Sequence, residues 1–172
     1  MIKLSLKEVL LKRRSIRKFT SDLIGDDLIN ELLHAAMSGP SACNMRPWEF
    51  FVITNRSVLL ELKNASRFTK MDSPLAIIVC GNLKNCLPKD MAQYWIQDCS
   101  AATENILLQA TDLGLGAVWC GIYPQTKAVD NVQNILQLSE NLIPLNIIFI
   151  GYPDEEKDAR DQYDENKIHY IR

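Results

Sequence analysis

Positions 12–19 read KRRSIRKF, which sets Lys12, Arg13, Arg14, Arg17 and Lys18 around one hydroxyl, Ser15. In extended backbone alternate residues share a face, so Arg13, Ser15 and Arg17 point one way and Lys12, Arg14 and Lys18 the other. Two guanidinium forks flanking a hydroxyl suit a phosphate monoester, which takes bidentate donors and dispersed hydrogen bonds. A solvated basic strand has the same pattern, and spacing alone leaves both readings open. Nucleic acid is disfavoured, because the formal net charge is −2 and neither a second basic patch nor an aromatic cluster accompanies the run.

Two further stretches carry groups that could face a ligand. In GPSACNMRPW (39–48), Gly39-Pro40 stops a helix and Arg46-Pro47 enters a strand. Ser41, Asn44 and the backbone amides between them could hydrogen-bond the edge of a heteroaromatic ring. In GLGAVWCGIYP (114–124) the order is helix then strand, the reverse of the dinucleotide-binding fingerprint. Gly114 and Gly116 therefore read as a helix C-cap and a tight turn. Gly121, inside a strand pattern, marks a place where backbone approaches a ligand closely.

Conventional catalytic side chains are hard to assemble. Cys43 and Cys120 have no histidine beside them in sequence to generate a thiolate, so they read as small apolar residues. Asp98, Glu104 and Asp154–Glu156 have no spacing that calls for acid–base work. The five cysteines form no C-x-x-C pair and the histidines number two, against both a disulfide framework and a metal centre. No catalytic side chain and no metal ligand is assigned; in an enzyme, a cofactor would carry the chemistry.

The elements that position these groups alternate between helix and strand. Ser5-Leu6-Lys7-Glu8 is a capping box and opens a first helix that frays near Arg13. Residues 15–20 read as extended, 26–37 as a helix, 48–54 as a buried strand and 57–65 as a modest helix. Strands follow at 75–81, 117–123 and 145–153, with a long helix over 88–113 and another over 126–138. The long helix carries Met91, Trp95, Cys99, Ala102, Ile106 and Ala110 on one side and is apolar around much of its circumference. The terminal KIHYI alternates like a strand with nothing to pair with. Both features predict a homodimer.

The 172 residues, 47% hydrophobic and 23% charged, predict one α/β domain over 1–172 in a reduced, cytoplasmic protein. No apolar run approaches the ~18 residues of a membrane span. The N-terminal stretch is broken by Lys3, Lys7 and Glu8 and lacks a signal-peptide core.

Taken in order, RRSIRKF, AAMSGPSACNMRPWEFFVIT, QDCSAATENILLQATDLGLGAVWCGIYP and IIFIGYPDEEKDARDQYDENKIHYIR resemble the nitroreductase family of flavin mononucleotide (FMN) enzymes over essentially the whole chain. The resemblance implies an α+β fold, a mixed central sheet flanked by helices, in intertwined homodimers with FMN at the subunit interface. It implies that Arg13, Ser15 and Arg17 hold the FMN phosphate and ribityl chain, with Arg14 contributing through its backbone and Arg160 also reaching the phosphate. It assigns Pro40, Ser41, Ala42 and Asn44 to a loop lying on the flavin ring of the other subunit. It sets Trp119, Cys120 and Gly121 along the ring's central edge, with a backbone N–H near Gly121 directed at N5. The activity implied is ping-pong transfer of electrons from NADH or NADPH through flavin N5 to an electron-poor small molecule such as a nitroaromatic or quinone. Alternatives within the resemblance are an FMN-binding redox sensor or store, reductive dehalogenation and enoate reduction. No nucleic-acid or membrane partner is implied.

Overall fold

The computed structural model describes residues 4–172, so Lys3 of the N-terminal run lies outside the described residues. Helix α1 (Leu6–Lys12) opens on the expected capping box: Ser5 Oγ accepts from the Glu8 N–H at 3.3 Å, and Glu8 Oε2 accepts from the Ser5 N–H at 2.8 Å. The remaining elements are α2 (Asp26–Met37), β1 (Trp48–Ile53), α3 (Arg56–Leu62), β2 (Leu75–Asn82), α4 (Tyr94–Asp112), β3 (Gly116–Gly121), α5 (Thr126–Leu136) and β4 (Leu142–Gly151).

The strands form one sheet in the order β1-β2-β4-β3, with every strand pair antiparallel. The mixed character expected of the sheet is confined to a single parallel bridge between Ser15 and Ala117. Helices cover both faces. On one, α2 and α4 pack Leu32, Ala36, Cys99, Ala102 and Ile106 against Leu75, Ile77, Val79, Ile148 and Ile150. On the other, α3 and α5 pack Leu59, Leu62 and Val132 against Ala76, Ile78, Ile147 and Phe149. With no solvated face, the central strands β2 and β4 read as continuous apolar runs instead of alternating ones. Each large side chain so buried contributes about 1.5–3 kcal/mol, which makes this pair of strands the fold's anchor.

The long helix differs from its expected span. Lys89–Gln93 form a 3₁₀ segment entered through Lys89 at φ 58°, and the α-helix begins at Tyr94. Met91, which continues the apolar period in sequence, is therefore 45% exposed and takes no part in the buried face. That face includes two polar residues, Asp98 and Thr103, while Ala101 and Leu108 on the flank are half-buried. The helix is thus less apolar around its circumference than its spacing predicts. At its far end Gly114 adopts φ 73° as the expected C-cap.

Gly116 does not form a tight turn. It lies in β3 opposite Gly151 of β4, and both glycines clear a path for the basic segment. A Cβ at Gly116 would stand 2.7 Å from Ile16, and one at Gly151 would stand 2.8 Å from Phe19. Residues 15–20 cross the sheet's edge there. The Ile16 N–H donates to Ala117 O at 3.0 Å, the Thr20 N–H to Tyr152 O at 2.9 Å, and the Asp154 N–H to Lys18 O at 2.9 Å.

Candidate functional site

The crossing delivers the basic run to a groove of about 470 Å³ lined by Arg13, Arg14, Ser15, Arg17, Lys157 and Arg160. Five cations surround one hydroxyl there, and the lining includes no carboxylate. Arg13 is shared with α4, its Nε lying 3.5 Å from Glu104 Oε1. Partial burial raises the Glu104 carboxyl above its ordinary value, and Arg13 opposes that shift. Arg14 is committed elsewhere, because its Nη1 donates to the Asp158 carbonyl.

Glu155 organises the groove from behind. Its Oε1 accepts from the Arg17 N–H at 2.5 Å and the Lys18 N–H at 3.3 Å, and it lies 3.2 Å from Lys157 Nζ. Lys157 Nζ also donates to Ser15 O at 2.5 Å. The carboxylate thus fixes the strand's backbone and aims a fifth cation. The Arg17 N–H above all, with help from Lys157, holds the Glu155 carboxyl below its ordinary 4.5. A depressed folded-state pKa stabilises the fold above the unfolded value, and that contribution is lost as pH falls through the folded value. Comparing thermal midpoints of the native chain and Glu155→Gln across pH checks this. The difference is expected to be constant well above the ordinary 4.5 and to narrow as pH falls below it; a gap unchanged far below 4.5 would remove Glu155 from this role.

Arg17 also lines a second groove, of about 460 Å³, along the free edge of β3, with Arg67, Lys70, Trp119, Cys120 and Gly121. Ala117 O faces this edge to meet Ile16, whereas the Ile122 N–H turns inward to Leu145 O at 3.0 Å. Strand alternation therefore leaves the backbone N–H groups of Trp119 and Gly121 facing the open edge. Gly121 has open space where a Cβ would stand, with nothing within 4 Å. The two grooves share Arg17, so an anion cradle adjoins a flat, donor-lined slot with two further cations at its rim. This arrangement fits a phosphorylated heteroaromatic cofactor.

A profile of the nitroreductase family matches residues 10–71 and 61–152. The chain belongs to the nitroreductase family. A relative from Methanothermobacter thermautotrophicus, provisionally named NADH dehydrogenase/NAD(P)H nitroreductase, is 42% identical over 169 residues, covering 97% of this chain and 87% of that protein. A Parabacteroides distasonis crystal structure under the same provisional name aligns with TM-score 0.90 and 35% identity over 96% of both chains. The FMN-dependent nitroreductase of Clostridium difficile R20291 aligns with TM-score 0.88 and 30% identity, over 96% of this chain and 99% of that one.

Of the residues the family resemblance singled out, Arg13, Arg14, Ser15, Arg17 and Arg160 come together in one groove, and Trp119, Cys120 and Gly121 in the other. Pro40, Ser41, Ala42 and Asn44 line neither. Their loop is fastened to α4, where the buried Asp98 Oδ1 accepts from the Ala42 N–H at 2.9 Å and Ser41 Oγ accepts from the Arg46 N–H at 3.0 Å. Cys43, Asn44 and Arg46 all adopt left-handed backbone (φ 50°, 56° and 50°), a strained path for side chains other than glycine. Lys157, Arg67 and Lys70 escape the sequence reading. The basic residue beside Arg160 in DEEKDAR was a usable signal for Lys157; Arg67 and Lys70 stand in a loop with no motif.

Among the described residues no helix is long and apolar enough to cross a membrane, and no cluster of three or more His, Cys, Asp or Glu could hold a metal.

Proposed function

We propose that this chain is an FMN-dependent oxidoreductase that takes electrons from NADH or NADPH and delivers them to an electron-poor small molecule, of nitroaromatic or quinone type. The observation that carries the reading is the adjacency of the two grooves through Arg17, which matches a phosphate joined to a planar ring. Family membership and the FMN dependence of the Clostridium difficile relative support it. Arg13, Ser15, Arg17, Lys157 and Arg160 would hold the phosphate, and the Trp119 and Gly121 N–H groups would face the ring. FMN held there would supply the redox chemistry, hydride uptake from the nicotinamide and two-electron reduction of the acceptor, with protons exchanged with solvent. The protein's share is orientation and electrostatics. Arg67 and Lys70, which line the ring groove, would offer positive charge to the reduced ring, and a nicotinamide and an acceptor stacked there in turn would give a ping-pong order.

Anaerobic mixing of the FMN-loaded protein with NADH or NADPH tests this directly. The flavin absorbance is expected to bleach within seconds. Bleaching by dithionite alone would show a flavin-binding sensor or store instead.

The second subunit belongs to the same proposal. Asp98 fastens the strained loop to α4, and the loop's residues line neither groove of their own chain. Leu6 and Leu10 on α1 and Met37 at the end of α2 are 71%, 53% and 55% exposed. The C-terminal Ile171 is fully exposed at 100%. A homodimer covers these surfaces and brings Pro40, Ser41, Ala42 and Asn44 to the partner's flavin. Light scattering of the flavin-bound protein is expected to give twice the chain mass, with dilution releasing FMN and monomers together. A monomer holding stoichiometric FMN would rule out a shared site.

A further inference from the structure

Cys120 sits on the α3/α5 side of the sheet, 3% exposed, and its Sγ donates to the Phe68 carbonyl at 3.3 Å. Burial pushes its thiol up to about 11, so the donor proton stays in place through the ordinary pH range. Phe68 stands in the loop between α3 and β2, which is largely fastened to itself. Thr69 Oγ1 accepts from the Ser66 N–H at 3.0 Å, and Lys70 Nζ reaches Asn64 Oδ1 at 2.6 Å. The Arg67 guanidinium lies over the Phe68 ring, 4.6 Å from its centroid. Two outside hydrogen bonds hold its ends, Asn131 Nδ2 of α5 donating to Ala65 O at 2.9 Å and Ser73 Oγ donating to Ile150 O of β4 at 2.6 Å. The Cys120 thiol ties the loop to β3, at the point where Arg67 and Lys70 enter the ring groove.

We infer that Cys120 is a positioning residue: its hydrogen bond to the Phe68 carbonyl sets where Arg67 and Lys70 stand against the bound flavin, and so tunes the flavin's reduction potential. The inference rests on reading the Trp119–Gly121 groove as the flavin site. Cations stabilise developing charge best when they are held in place beforehand and need no reorganisation as the charge appears. A supporting shell that locks them is therefore part of the electrostatics. Phe68 is 48% exposed, so the residue has room to shift once the thiol is lost and to carry its cationic neighbours with it. Loss of the tether weakens binding of reduced FMN more than that of oxidised FMN, and the potential falls.

The test compares Cys120→Ala with Cys120→Ser, which restores a donor. In the FMN-loaded protein, alanine is expected to lower the ratio of reduced-to-oxidised flavin affinity about ten-fold, a fall of about 30 mV in the two-electron midpoint. Serine is expected to recover most of that shift. In the flavin-free protein, amides of residues 66–71 are expected to exchange about ten-fold faster in Cys120→Ala, with those of β2 and β4 unchanged. If alanine loosens the sheet generally, Cys120→Val fills the space without a donor and gives the same comparison. Arg67→Met and Lys70→Met separate the two readings. If they lower the midpoint while Cys120→Ala and Cys120→Val do not, the flavin site stands and the tether is wrong. If none of the four moves it, the groove is not the flavin site, and the inference falls with it.

Discussion

Arg17→Ala is expected to weaken FMN binding about ten- to a hundred-fold, whereas Lys18→Ala changes it by less than about three-fold. The two residues are neighbours and carry the same charge, so diffuse attraction treats them alike. Their surroundings differ. The Arg17 side chain lines both grooves, and its Nη1 lies 3.4 Å from Ser15 O, on the phosphate face of the strand. The Lys18 side chain lines neither groove; what it contributes is backbone, an N–H to Glu155 and a carbonyl that accepts from Asp154, and alanine keeps both. A lost charge-assisted hydrogen bond costs about 1.5–3 kcal/mol, the source of the expected range. Titration calorimetry at low and moderate salt reads the contrast. Equal losses, shrinking together as salt rises, would mean that the run acts only as a field.

What the sequence could disclose about this site follows from how local each cause is. The α1 cap needs only Ser5 and Glu8, three positions apart, and the bounds of α2 follow from its apolar period and the Gly39-Pro40 stop. The shared face of Arg13, Ser15 and Arg17 is read from strand alternation, and the three do line one groove. Arg14, which alternation turns the other way, lines it too, because Arg13 is the C-cap of α1 and strand alternation does not hold across it. Lys157 and Glu155 could not be read this way. They reach the basic strand because Phe19 bridges Pro153 and Thr20 pairs with Tyr152, contacts more than 130 positions apart. The roles of Gly116 and Gly151 were hidden for the same reason: each makes room for a side chain, Ile16 or Phe19, whose arrival only the tertiary pairing explains. The start of α4 was misread for a local reason. Met91 keeps the helical period, but Lys89 turns left-handed and the next residues wind as 3₁₀. Apolar spacing reports a period and is blind to that turn.

Gly121→Val is expected to abolish stoichiometric FMN retention, a loss above about a hundred-fold, while leaving thermal stability equal or slightly raised. The two halves of this expectation have separate causes. A Cβ at Gly121 meets nothing within 4 Å, so the fold has no clash to relieve. Valine also suits a strand position better than glycine does, by up to about 1 kcal/mol. Gly121 lines the ring groove, and a branched side chain there narrows the slot that a ring laid along this edge must occupy. Losing close approach over a planar ligand, along with the hydrogen bonds that depend on it, amounts to roughly 3 kcal/mol or more, hence the hundred-fold. Glycines elsewhere in the sheet predict the reverse. A Cβ at Gly81 would stand 2.2 Å from the Trp95 ring, so Gly81→Ala is a core collision that lowers stability. Thermal melts of the flavin-free variants, paired with FMN titrations, distinguish the two. If Gly121→Val melts as the native chain does and still binds FMN with native affinity, the ring does not lie along the Trp119–Gly121 edge, and the cofactor must enter the phosphate groove from another side.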